Sequence, residues 1–158
     1  WVLKVCLMLT DTDVRFRVKN FDSERVLTIQ NCWSEIKTCI KQTLKLLKLV
    51  GLNDQSVRAK NAIIPVVYYL FQKGDDGVPR HASINKLAFR KEDRALISKW
   101  LNMALLKGLF GGQSDSVLQK MREIIARQKN IDAFPLDSVI NEFKNTTKDL
   151  RFSEEYIE

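Results

Sequence analysis

Apolar residues recur at helical spacing along most of the chain. After Ser34, the positions Ile36, Ile40, Leu44, Leu47 and Val50 follow at intervals of four, four, three and three, which is one face of a helix, and Gly51 stands where a C′ glycine would end it. Residues 1–10, WVLKVCLMLT, read as the end of a buried helix. In SVRAKNAIIPVVYYLFQKG, Ser56 is the expected cap and Gly74 the stop, and residues 62–71 are apolar on almost every side, the mark of a central helix. Pro65 falls well inside this segment and predicts a kink that frees a carbonyl near Asn61. KGDDGVPRHAS reads as a loop. KEDRALISKWLNMALLKGLF follows, with acidic residues in its first turn and Leu96, Trp100, Met103 and Leu106 or Lys107 along one side. SDSVLQKMREIIARQKN repeats the pattern through Val117, Met121, Ile124 and Ile125, and FPLDSVINEFKN through Val139, Ile140 and Phe143, with Pro135 near its start. FSEEYIE begins one more helix capped by Ser153. About six or seven helices without a convincing sheet predict an all-α, irregular helical bundle forming one helical domain over 1–158. The alternation of Val14, Phe16 and Val18 leaves room for one short hairpin or strand near residues 14–29.

A length of 158 residues is enough to bury a core. The net charge of +7 places nucleic acid among the expected partners without selecting it. The longest apolar run, AIIPVVYYLF, is far short of the roughly 20 residues a spanning helix needs, so no membrane partner is expected. Cys6, Cys32 and Cys39 are odd in number and lack metal-ligand spacing, and His81 is the single histidine. No metal site is expected; buried thiols in a reducing, cytoplasmic setting are. The chain opens on Trp1 inside an apolar run with no secretory leader, and it reads as a piece of a longer protein.

Lys37, Lys41, Lys45 and Lys48 recur at four, four and three, stacking four ammonium groups on one stripe of a helix that has no acidic residue after Glu35. Such a stripe can follow a nucleic-acid backbone, which asks for positive charge at a fixed rise and no base-reading chemistry. The commoner meaning of such a stripe is a solvated face flanking a core, and that is the favoured reading. Arg90, Lys91 and Arg94 form a second basic cluster that would extend it.

In LLKGLFGGQSDSVLQ, the pair Gly111 and Gly112 precedes Ser114 and Ser116, as a phosphate-cradling loop can. A P-loop needs a strand before it and a lysine followed by Ser or Thr at its end, and this segment has neither. The favoured reading is a corner between helices, with the glycines turning the chain and one serine capping the next helix; a weak anion site at that helix start is the alternative. The carboxylate pairs Asp11/Asp13, Asp75/Asp76 and Glu154/Glu155 sit where capping and solubility explain them. No nucleophile, base and metal set is encoded, and no catalytic residue is assigned.

Taken in order, LKVCLMLT, NAIIPVVYYLFQKG, DRALISKWLNMALLKGLFGGQSDSVLQKMREII and FPLDSVIN leading to LRFSEEYIE resemble the helical part of GmrSD-type restriction proteins. In that family a ParB-like nucleotidase region with an Asp-Gly-Gln-Gln-Arg motif precedes the helical region, and many members end in an HNH-type nuclease domain. They defend bacteria against foreign, often modified, DNA. The resemblance implies a parent that is a nucleotide-dependent DNA endonuclease using a nucleoside triphosphate and a divalent metal. It implies no cofactor for these residues, and as partners the rest of the parent chain and DNA. Neither the Asp-Gly-Gln-Gln-Arg motif nor an HNH signature occurs here, so no catalytic residue carries over. A helical protein–protein interaction module remains the competing expectation.

Overall fold

The segment Ile64–Phe71, apolar at every position, can escape water only at the centre of the molecule, and that is where it lies in the computed structural model. The structure describes residues 1–52, 60–73, 77–84, 91–128 and 133–152. Eight α-helices run through them: α1 Val2–Leu9, α2 Ser23–Asn31, α3 Trp33–Leu49, α4 Ile64–Phe71, α5 Arg80–Ile84, α6 Lys91–Leu106, α7 Ser114–Arg127 and α8 Leu136–Phe143. The fold is all-α; among the described residues the only extended pairing is the isolated bridge between Lys73 and Pro79. Around α4 pack α1, α3, α5 and α7, while α8 rests on α6 and α7. One continuous apolar core joins α1, α3, α4, α6, α7 and α8.

The structure corrects the expectation of a hairpin or strand near residues 14–29. Val18–Phe21 is a 3-10 turn, and Asp22 then accepts a hydrogen bond from the Arg25 amide at 2.9 Å and caps α2. The alternation of Val14, Phe16 and Val18 does not mark a buried sheet face: Val14 is in the core, Phe16 and Val18 are exposed. α2 buries no residue, so it has no apolar stripe by which the sequence could announce it.

Pro65 does not kink a helix. It occupies the second position of α4, after a 3-10 turn at Lys60–Ile63, where a missing amide proton is no loss because first-turn amides have no intrahelical acceptor. The carbonyls of that turn are taken by indoles. Trp1 Nε1–H donates to the Lys60 carbonyl at 2.9 Å and Trp100 Nε1–H to the Ala62 carbonyl at 3.1 Å. The loop expected over KGDDGVPRHAS is also shorter than its composition suggests, since α5 starts at Arg80; there His81 is buried and its Nδ1–H donates to the Leu70 carbonyl at 3.2 Å. The expected cap Ser56, the stop Gly74 and the terminal helix from Ser153 lie outside the described residues, as do Asp75, Asp76, Glu154 and Glu155.

Helix stops follow one device three times. After α3, the Leu52 amide donates to the Leu47 carbonyl at 2.8 Å and the Gly51 amide to Lys48 at 3.1 Å, with Gly51 at φ +78°, as expected. After α1 the same pair of bonds forms at Asp11, which is left-handed without being glycine, at φ +54°. Its carboxylate compensates by accepting from Tyr68 Oη at 3.1 Å.

Candidate nucleic-acid interface

α3 is amphipathic, and of the face read from the sequence Ile36 and Leu47 are buried and Ile40 and Val50 pack half-buried on the core, while Leu44 departs from it. Ile36, Cys39, Gln42, Thr43, Leu46 and Leu47 point inward, while Ile40 is half-buried and Leu44 is 39% exposed. Packing on α4 and α5 turns the core face toward Cys39 and Leu46, and the Cys39 thiol donates to the Val67 carbonyl of α4 at 3.2 Å. Burial pushes that thiol up to about 12, so it stays protonated and structural. Burial raises Cys6 as well, and Cys32, expected to be buried, is half-buried at the junction of α2 and α3.

Opposite the buried face, Lys37, Lys41, Lys45 and Lys48 are all exposed, and none pairs with a carboxylate among the described residues. From Lys37 to Lys48 the stripe rises about 16 Å along the helix. The acidic groups near the other cations are already engaged. Asp13 pairs with Arg15, Asp22 with Arg25, Asp115 with Lys4 and Asp149 with Arg151. Hydrogen bonds from Arg15 hold the Asp13 carboxyl down at about 2, and those from Arg151 hold Asp149 well below the usual range. Consequently α3 carries the long unneutralised cationic face of the described molecule.

The second basic cluster is described only in part. Arg90 lies outside the described residues; Lys91 is exposed and Arg94 half-buried on the first turn of α6. α6 packs on the 3-10 turn at 60–63 and on α8, and α3 on α2, α4 and α5.

The glycine corner is a corner, built differently from the reading of its sequence. α6 ends at Leu106, not Phe110, and its stop is Gly108 at φ +56°, with the Leu109 amide donating to Ala104 at 3.0 Å. Gly112 is also left-handed, at φ +77°; Gly111 is not, and its carbonyl accepts from Lys148 Nζ at 2.7 Å. Neither serine caps α7. Gln113 holds the N-cap position without a side-chain bond, Ser114 is the first helical residue, and Ser116 Oγ donates backward to the Gln113 carbonyl at 2.9 Å. Asp115 already places a carboxylate at that helix start and pairs it with Lys4, which removes the attraction for an added anion. Alanine at Gly108 or Gly112 is therefore expected to cost about 1 kcal/mol from the left-handed backbone, whereas Ser114→Ala and Ser116→Ala stay within about 0.5 kcal/mol. Urea midpoints of the four variants check this; a serine variant as unstable as the glycine ones would restore a capping role.

The sequence reading missed a polar cluster beneath α1. Arg122, buried on α7, donates to the Thr12 carbonyl and to Gln119 Oε1, both at 2.6 Å, and lies 4.0 Å from the Asp11 carboxylate that Tyr68 also meets. Burial, then the Asp11 charge, pushes the Tyr68 phenol up. Beside it a cleft of about 450 Å³ is lined by Asp11, Glu35, Gln72, Lys73, Arg80 and Gln128. Arg122 fastens the turn after α1 to α7, a structural task of the kind buried arginines perform with carbonyls. Among the described residues no group of three His, Cys, Asp or Glu side chains is placed to hold a metal, and no nucleophile stands beside a base in this cleft.

No family model, curated protein or solved structure matches the chain.

Proposed function

We propose that this chain is the helical domain of a GmrSD-type DNA restriction protein, one that supports a nucleotidase and nuclease module and touches the DNA backbone through α3. The observation that carries the DNA contact is the exposed stripe of Lys37, Lys41, Lys45 and Lys48, unpaired among the described residues. Four ammonium groups on one rigid helix exchange the counterions of a phosphate chain for protein contacts, which favours binding at low salt and reads no sequence. The parentage rests on the resemblance of the ordered segments from LKVCLMLT to LRFSEEYIE.

Replacing the four lysines by glutamine should flatten the dependence of log affinity on log salt by roughly 0.7–0.9 per lost phosphate contact, up to about three units in all. The measurement is a fluorescence-anisotropy titration of labelled oligonucleotides at several salt concentrations. An unchanged slope means that the stripe is only a solvated face. In the full-length parent the same variant should lose restriction of incoming phage while keeping nucleotide turnover.

The helical interaction module is favoured by a different observation: Val26 and Leu27 of α2 and Trp33 of α3 are exposed on neighbouring helices. Binding of a protein partner there would be nearly indifferent to salt, which separates it from polyanion binding in the same titration.

A further inference from the structure

We infer that the strand held by α3 is unpaired: the face is built for single-stranded DNA, with Trp33 as the platform on which one base stacks. This rests on the DNA-binding reading of the lysine stripe and goes beyond it.

On a helical wheel Trp33, Leu44, Lys37, Lys48, Lys41 and Lys45 follow one another in that order within about a third of the circumference, roughly 120°. The apolar pair forms one edge of the stripe and the lysines the rest. Trp33 is 44% exposed and Leu44 39%, although the buried face of the same helix holds a cysteine, a threonine and a glutamine. Burial of α3 against its neighbours thus leaves its largest side chain outside, next to the cations. The indole is not paired off in ring stacking or a cation contact among the described residues, in contrast with Trp100, which meets Phe110 and Phe134. Trp33 also differs from Trp1, whose Nε1–H is spent on the Lys60 carbonyl.

A cationic track flanked by an accessible aromatic is the chemistry of single-strand binding, in which lysines follow phosphates and the ring stacks on a base of any identity. A duplex offers phosphates to the lysines but keeps its bases stacked inside, leaving the indole without a partner. The distance from Trp33 to Lys48, about 22 Å along the helix axis, suits a short stretch of strand, of the size that one small binding fold covers. Leu44, on the same edge of the stripe about 16 Å further along the axis and level with Lys45, would lie against the sugars.

The test compares three probes with equal phosphate count per strand: a twelve-residue oligothymidine, the same backbone with abasic sites in place of its bases, and a duplex of the same length, whose doubled charge can only favour it. Wild type should bind oligothymidine at least about fivefold more tightly than the other two. Trp33→Ala should lose roughly 5- to 100-fold for oligothymidine and little for the abasic or duplex probes, which also shows that the variant is folded. Trp33→Phe should keep most of the affinity. If duplex and abasic probes bind as well as oligothymidine, or Trp33→Ala keeps the preference, the single-strand inference is overturned, and lysine-dependent binding to all three leaves the DNA-backbone reading standing. Failure of wild type to bind any probe at low salt overturns both.

Discussion

Asp93→Ala is expected to lower the melting temperature by about 10 °C, measured by circular dichroism at 222 nm. Asp93 lies in the first turn of α6, where a carboxylate is ordinarily exposed and interacts with the helix dipole. Here it is buried. Its Oδ2 accepts from Tyr69 Oη at 3.0 Å and its Oδ1 from the Phe134 amide at 2.7 Å, so one side chain joins α6 to the last turn of α4 and to the entry of α8. Burial, and then the Asp93 charge, raises the Tyr69 phenol well above its ordinary range, so it stays a donor. Alanine strips a hydrogen bond from two buried donors, each costing about 1–3 kcal/mol, and leaves a small void. A loss of about 3 kcal/mol or more follows, and a chain of this size loses about 2–4 °C per kcal/mol. Tyr69→Phe removes one donor and its bond together and should cost only about 1 kcal/mol. If Asp93→Ala melted within a degree or two of wild type, the carboxylate would be a dipole ornament and the junction would be held by apolar packing alone.

Trp100→Ala should cost about 3–5 kcal/mol, enough to leave a marginally stable chain largely unfolded at physiological temperature. Trp100 is fully buried, its ring centroid 6.2 Å from Phe110 in an edge-on arrangement and 6.0 Å from Phe134. Its Nε1–H supplies the Ala62 carbonyl in the turn that launches α4. Trp100→Phe keeps an aromatic ring but strands that carbonyl and leaves a cavity, so about 2 kcal/mol is expected. Because Asp93 and Trp100 both act on Phe134, the Asp93→Ala and Trp100→Phe losses should not add, and the shortfall or excess in the double variant should reach about 0.5 kcal/mol or more. Strict additivity would show that the two anchors are independent.

These two residues illustrate what could be read in advance. Trp100 belonged to the apolar stripe of α6 from its spacing alone, and it is in the core. Asp93 was one of several first-turn acids with nothing to single it out, because its partners Tyr69 and Phe134 lie 24 and 41 residues away. At the end of the same stripe, where the spacing allows Leu106 or Lys107, Leu106 is exposed, because α6 ends there and Gly108 turns the chain. In the candidate interface, the lysine spacing was plain, yet Trp33 went unremarked; an aromatic four residues before Lys37 was the available signal.

By itself the sequence determined that this protein is all-α, where its longer helices run and that Gly51 ends α3. It also placed Val117, Met121, Ile124 and Ile125, all buried, on one side of α7. Those features depend on neighbours three or four residues away, and such neighbours are written in order along the chain. Only the tertiary structure decided the rest: that Pro65 opens α4 instead of bending it, and that Cys39 rather than Leu44 faces the core. Each of these turns on a partner from elsewhere, an indole 38 residues from the carbonyl it satisfies or a helix packed across another, and local propensity yields to the arrangement that supplies such partners.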